Sequence, residues 1–188
     1  TRAPCQTASA PDASSPRFIM FLTIYTLIHV VISLLGIAAG FVVIYGMLTA
    51  KPLEKWTMYF LATTTATSVT GFFFPFEGFK PAYVFGVISL VALAAAYYAL
   101  RTKQLAGGWR KVYVISVLVA QYLNCFVLVV QSFLKLPPLK GLAPTQSEPP
   151  FAIAKGVVLV LFIVLGVATV KRFRPIANSL ADGNASSR

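Results

Sequence analysis

The sequence predicts an all-α integral membrane protein, a bundle of about five transmembrane helices. Hydrophobic residues make up 57% of the 188 residues and charged residues only 11%, whereas about 25% of the residues in a soluble domain are charged. Apolar runs that are long enough to cross a hydrocarbon core as helices, roughly 20 residues each, recur along the chain. These runs lack the alternation of membrane β-strands, so we expect helices rather than a β-barrel.

The five predicted spans cover residues 18–50, 56–74, 82–100, 112–134 and 152–170. They form one predicted bundle over residues 18–174, with no room for a soluble domain. As a helix the first span would be about 50 Å long, so we expect it to tilt or to protrude, and its apolar run far exceeds that of a signal peptide. Residues 1–17 and 175–188 are rich in small and polar residues and are predicted to be a disordered leader and tail.

The basic residues stand at the ends of the apolar runs and predict the topology. One set comprises Arg2, Arg17, Lys80, Lys135, Lys140 and Lys155. The larger set comprises Lys51, Lys55, Arg101, Lys103, Arg110, Lys111, Lys171, Arg172, Arg174 and Arg188. The positive-inside rule assigns the larger set to the cytoplasm, with the N-terminus outside and the C-terminus inside. Because these cations form no face of their own, the net charge of +11 predicts a lipid bilayer as partner and no nucleic acid.

Histidine and cysteine usage argues against a metal centre. His29 is the only histidine, and Cys5 and Cys125 stand far apart outside any zinc or redox pattern. The sequence also contains no G-x-S-x-G, P-loop or H-E-x-x-H motif. We therefore predict no metal site and assign no catalytic residue, and we favour a non-enzymatic protein while leaving enzymatic activity open.

Small and hydroxyl-bearing residues line one face of each of the first two spans. Tyr25, His29 and Ser33 recur every four residues and lead into a G-x-x-x-G pattern, which is typical of close helix packing, with a functional hinge as the alternative. In the second span two threonine-rich stripes predict packing surface, because threonine hydroxyls bond back to their own helix. The predicted helix-packing residues are Ser33, Gly36, Gly40, Thr63 and Gly71.

The fourth span places the amides of Gln121, Asn124 and Gln131 in the membrane. An unpaired amide in an apolar medium costs several kcal/mol, so we expect all three to point into the bundle. Interhelical hydrogen bonds worth about 0.6 to 2 kcal/mol would explain them, and so would a polar cavity.

Antiparallel spans would bring polar groups of the first, second and fourth spans into one outer layer, beside the hairpin FFFPFEGFKPAY and the loop KLPPLKGLAPTQSEPPF. We predict there a polar pocket that opens outward and is lined by Tyr25, His29, Thr67, Thr70, Glu77, Asn124 and Gln131. Within it His29 is either neutral and bonded to a hydroxyl or amide, or a protonation switch, a haem ligand or a hydrogen-bond partner of a quinone. The cofactor stays open, with haem and quinone as the candidates.

The stretches IHVVISLLGIAAGFVVIYGMLT, ATSVTGFFFPFEGF and LKGLAPTQSEPPF resemble uncharacterised small multispanning inner-membrane proteins of proteobacteria, over roughly residues 20–174. The resemblance implies a multi-pass protein of the bacterial inner membrane and carries no known activity.

Two functions follow from the residues. The preferred one is an accessory or structural subunit that packs against partner helices or a second copy, and the other is a binding or redox protein with a quinone or haem near His29.

Overall fold

The computed structural model describes residues 15–51, 53–74 and 81–173, and within these ranges every regular element is an α-helix. In chain order these are α1 (Pro16–Leu48), α2 (Glu54–Gly71), α3 (Pro81–Arg101), α4 (Trp109–Lys135), α5 (Pro137–Leu142) and α6 (Pro149–Arg172). The predicted all-α class is confirmed. Nearly all of the predicted leader and the whole predicted tail lie outside the described residues.

Local sequence signals set the ends of the long helices. The Ser15 side chain accepts the Phe18 N–H and a proline occupies the first helical turn, the usual start of a helix. This start lies two residues before the predicted span, so Pro16 and Arg17 belong to α1 rather than to the leader. At the other end of the chain the guanidinium of Arg110 donates to the Phe173 carbonyl, which satisfies a carbonyl that the end of α6 leaves free.

Four helices are long and apolar enough to cross a membrane, namely α1, α3, α4 and α6. The remaining predicted span is helical as α2, which has 18 residues. Threonine and serine fill seven of those positions and lower its hydropathy. On length and composition alone, the structure therefore supports four of the five predicted spans.

The loop between α4 and α6 folds back onto the bundle instead of forming a plain connector. It contains the short helix α5, which begins at a pair of prolines. Gln146 donates to the Val130 carbonyl over 3.2 Å, and the rings of Phe133 and Phe151 meet edge to face at 5.3 Å. These contacts close a small second core around the fully buried Ala143.

Helix α4 forms the centre of the bundle, and α6 lies at its edge. Half of the apolar window of α4 is buried but only 11% of that of α6. The helices α1 and α2 run antiparallel, since Tyr25 contacts Thr70 near one end and Gly46 faces Leu53 near the other.

Contacts between helix ends show that most of the described cations lie at one end of the bundle. Arg101 reaches Met58 at the start of α2, and Arg110 reaches the end of α6. We call this the basic end, and its described cations are Lys51, Lys55, Arg101, Lys103, Arg110, Lys111, Lys171 and Arg172.

Candidate functional site

Polar side chains of α1, α2 and α4 meet along a single line through the bundle. We call this line the polar seam. It comprises His29, Ser33, Thr64, Thr67, Thr70, Gln121 and Asn124.

The end of the polar seam farthest from the basic end is built around His29. The His29 Nδ1 lies 2.9 Å from the Thr70 hydroxyl, and the Tyr25 hydroxyl donates to the Thr70 carbonyl over 2.7 Å. The Phe74 ring stands edge-on to both the His29 and the Tyr25 rings, with centroids 5.1 and 5.0 Å away. The Thr70 hydroxyl and the Phe74 ring therefore hold the imidazole in place, and Tyr25 contacts both of these residues.

One helical turn deeper, Ser33 links α1 to α2. Its hydroxyl donates to the His29 carbonyl over 2.7 Å and lies 3.4 Å from the Thr67 hydroxyl. Four of the predicted pocket residues thus come together at the α1–α2 contact, and these are Tyr25, His29, Thr67 and Thr70.

The other three predicted pocket residues do not join this group. Asn124 donates to the Thr64 hydroxyl over 3.3 Å, about 9 Å along α2 from Thr70. Gln131 is exposed, so the expectation that it points into the bundle is wrong. Because it lies one turn before the end of α4 and α2 ends at Gly71, little helix remains to cover it. Glu77 lies outside the described residues.

The predicted packing glycines face different neighbours. A Cβ on Gly36 would lie 3.1 Å from the Thr63 hydroxyl, and one on Gly71 would lie 3.8 Å from the His29 Cε1. A Cβ on Gly40 would lie only 2.0 Å from the Gln121 Oε1. The G-x-x-x-G pattern of α1 therefore receives α2 at one glycine and α4 at the other.

Gln121 is fully buried and joins α4 to the backbone of α1. Its Nε2 donates to the Ile37 carbonyl over 2.8 Å. Its Oε1 is buried and accepts no hydrogen bond within the described part of the chain. The backbone of Gly40 packs against that oxygen, the kind of close approach in which weak C–H···O contacts recur at helix interfaces.

Two surface grooves lie apart from the polar seam. One, of about 230 Å³, runs between α4 and α6 past Leu118, Tyr122 and Phe162. The other follows the first turns of α1 past Leu22, Thr26 and Val30. Both have almost wholly apolar walls, as expected where helices face acyl chains.

Sequence reasoning missed two partners of the polar groups. The Phe74 ring packs perpendicular to the His29 ring, and the Tyr113 hydroxyl lies 3.4 Å from the Thr57 hydroxyl. The sequence does not indicate which partner one phenylalanine in a run of phenylalanines will contact. The same holds for a tyrosine within an apolar span.

No group of three His, Cys, Asp or Glu side chains comes together anywhere in residues 15–51, 53–74 and 81–173. No family model matches the sequence, and no curated protein and no solved structure matches it. Its class is nevertheless defined by its helices, since four of them are long and apolar enough to span a bilayer. The chain is a helical membrane protein.

Proposed function

We propose that this chain is a non-enzymatic multi-pass protein that serves as an accessory or structural subunit of a larger membrane assembly. The observation that carries the proposal is that the interior polar groups are engaged in helix contacts, such as Gln121 with Ile37 and Asn124 with Thr64. Among the described residues the buried polar side chains are Thr, Ser and Gln, and none is charged. Proton and ion pathways use ionisable groups inside the membrane, so this interior suits packing better than transport.

We include α2 as the fifth span. Its 18 residues give a helix of about 27 Å, close to the roughly 30 Å hydrocarbon core of a bilayer. It packs beside α1 from Thr70 near its end to Leu53 just before its start. Two of its hydroxyls donate within the helix, since Thr63 donates to Tyr59 and Thr70 to Ala66, each over 2.7 Å. Others pair with neighbouring helices, such as Thr57 with Tyr113 and Ser68 with Ser89. A helix whose hydroxyls bond to its own backbone or to neighbouring helices is compatible with hydrocarbon despite its threonines.

The proposed setting is the bacterial inner membrane, with the N-terminus outside and the C-terminus in the cytoplasm. The basic end supports this orientation, because eight described cations lie there beside a single carboxylate, Glu54. The opposite end carries four described cations, Arg17, Lys135, Lys140 and Lys155. The positive-inside rule assigns the richer end to the cytoplasm.

Purification from native membranes tests the proposed function. The full chain, tagged at its C-terminus and extracted in mild detergent, is expected to elute with a second membrane polypeptide in fixed stoichiometry. Its absorption spectrum, oxidised and reduced, should show no chromophore. A single chain without any partner would contradict the subunit proposal, and so would a stoichiometric Soret band.

A second function is favoured by one observation at His29. Its Nδ1 is bonded to Thr70, but its Nε2 has no hydrogen-bond partner among the described residues, and the ring is only partly buried. A ring nitrogen that the described residues leave without a partner, at the edge of the bundle, suits a protein that binds a lipid-soluble ligand such as a quinone, or haem, in the outer leaflet. Mass spectrometry of the organic extract of the same preparation detects such a ligand.

A further inference from the structure

The direction in which the Thr70 hydroxyl donates its single hydrogen determines the tautomer of the His29 imidazole. The Thr70 Oγ1 lies 2.7 Å from the Ala66 carbonyl and 2.9 Å from the His29 Nδ1. A hydroxyl donates one hydrogen and accepts with its lone pairs. Donation to Ala66, the shorter contact and a common one within helices, leaves the oxygen to accept a hydrogen from Nδ1.

The opposite arrangement is less favourable. If Thr70 donated to Nδ1, the imidazole hydrogen would move to Nε2, which has no acceptor among the described residues. Unpaired N–H groups away from water are rarer in proteins than acceptors with a spare lone pair. Both considerations favour the neutral ring with its hydrogen on Nδ1 and a lone pair on Nε2.

The surroundings of the ring select an aromatic ligand. The Tyr25 ring stacks on Phe21 at 6.2 Å with an interplanar angle of 17°, and Phe74 stands edge-on to Tyr25 and His29. Phe21 is 63% exposed, so an aromatic strip leads from the surface of α1 to the imidazole. The hydrogen of the Tyr25 hydroxyl is already donated to the Thr70 carbonyl, which leaves Nε2 as the acceptor that a ligand can use.

The position of His29 allows a ligand to enter from the bilayer. The residue lies 17 positions before Gly46 in α1, about 26 Å from the basic end. In a hydrocarbon core of about 30 Å, the imidazole therefore stands near the opposite interface. A lipid-soluble molecule at this depth would place a polar headgroup beside the ring and its tail among the acyl chains.

We propose that Nε2 of His29 accepts a hydrogen bond from the hydroxyl of a lipid-soluble phenol, of which a hydroquinone with an apolar tail is the representative. A quinone offers only carbonyl acceptors, which do not pair with a lone pair, so the site discriminates the reduced ring from the oxidised one. This inference rests on the second function proposed above and specifies the ligand class for that same site.

The tautomer is measured directly, because the chain has one histidine. Full-length protein in lipid nanodiscs, labelled with ¹⁵N in histidine, should give one pair of ring-nitrogen signals, with Nδ1 protonated and Nε2 bare. Adding decyl-benzohydroquinone should shift the Nε2 signal. A protonated Nε2 in the free protein would overturn the inference.

Affinity provides the second test. Decyl-benzohydroquinone should bind about fivefold or more tightly than the matching benzoquinone, since one neutral hydrogen bond is gained. The variant H29L should lose this preference. T70V removes the partner of Nδ1 without touching the ligand and should reduce the preference for the hydroquinone. S132A removes an exposed hydroxyl at the end of α4 and should leave that preference unchanged.

The outcomes separate the two proposals. Equal affinity for both ring forms would overturn the preference for a hydroxyl while leaving the binding function standing. Binding of neither form would overturn the binding function and this inference together. A Soret band that H29L abolishes would show Nε2 bound to haem iron and would overturn the phenol assignment.

Discussion

Gln121 illustrates how one buried amide determines what its neighbour can be. Its Nε2 is held by the Ile37 carbonyl, so the amide plane cannot turn away from α1. Its Oε1 then lies where a side chain on residue 40 would begin. Glycine is required at that position by a polar neighbour and not by backbone conformation, which distinguishes it from glycines in turns.

We expect G40A to destabilise the protein by about 1 to 3 kcal/mol, the usual cost of overpacking a core. The added methyl would push the Gln121 amide off the Ile37 carbonyl and leave its N–H unpaired. Thermal unfolding in detergent or lipid, followed by circular dichroism, measures the loss. Combining G40A with Q121A should recover part of it, because the clash is then absent.

The matched control is G156A on α6. Gly156 has no atom within 4 Å of an added Cβ, and alanine in an exposed helix is favoured by about 1 kcal/mol. This variant should be neutral or slightly stabilising. Equal effects of G40A and G156A would contradict the role given to Gln121.

At the scale of elements, the start of α6 depends on the loop before it. The Glu148 carboxylate accepts the N–H groups of Thr145 and Ser147, each over 3.1 Å, and the Thr145 hydroxyl over 2.9 Å. It also stands next to the positive end of the α6 dipole. Desolvation raises the pKa of Glu148, but the hydrogen bonds from Thr145 and Ser147 outweigh it and hold that pKa below its usual value.

Order in this loop should therefore depend on pH. Because the folded pKa of Glu148 lies below the unfolded value of 4.5, its stabilisation is present above that value and is lost as pH falls through the folded pKa. Hydrogen exchange of residues 143–152, corrected for intrinsic rates, should show weaker protection at about pH 3 than at neutral pH. E148Q should show the weaker protection at both values, and a pH response retained in E148Q would contradict the assignment.

At the scale of the whole molecule, the central helix α4 and the peripheral helix α6 differ in how much of their surface packs against other helices. Helix α4 packs on α1, α3 and α6, and it also contacts α2 through Asn124 and Tyr113. Helix α6 is bonded at its end by Arg110 and leaves most of its surface to lipid. The number of spans, and with it the side on which each loop lies, depends on α2.

Cysteine labelling from the two sides of the membrane tests α2 as a span. In a background with Cys5 and Cys125 replaced by alanine, K51C and K103C should react on the cytoplasmic side, and K140C on the opposite side. Three helices separate residues 51 and 140, namely α2, α3 and α4, so these residues lie on opposite sides if α2 crosses. Labelling of K51C and K140C from the same side would show that α2 does not cross.

The sequence by itself determined the helical class and the approximate place of each long helix, because a helix in lipid must be apolar over a length set by the bilayer. It also identified the glycine and threonine faces, since a helix repeats every 3.6 residues. From the sequence, α2 is predicted to be a membrane span like the other long helices. The structure distinguishes α2 from them by its many hydroxyls.

Only the tertiary structure decided what each polar group meets. Asn124 and Gln131 are seven residues apart and share a helix face by periodicity, yet Asn124 bonds Thr64 while Gln131 is exposed. The reason is the length of α2, because this helix ends at Gly71 and covers α4 at the level of Asn124 but not at the level of Gln131. In the same way, Gly36 and Gly40 look equivalent in a G-x-x-x-G pattern, but α2 meets one and Gln121 of α4 meets the other, since three helices converge there.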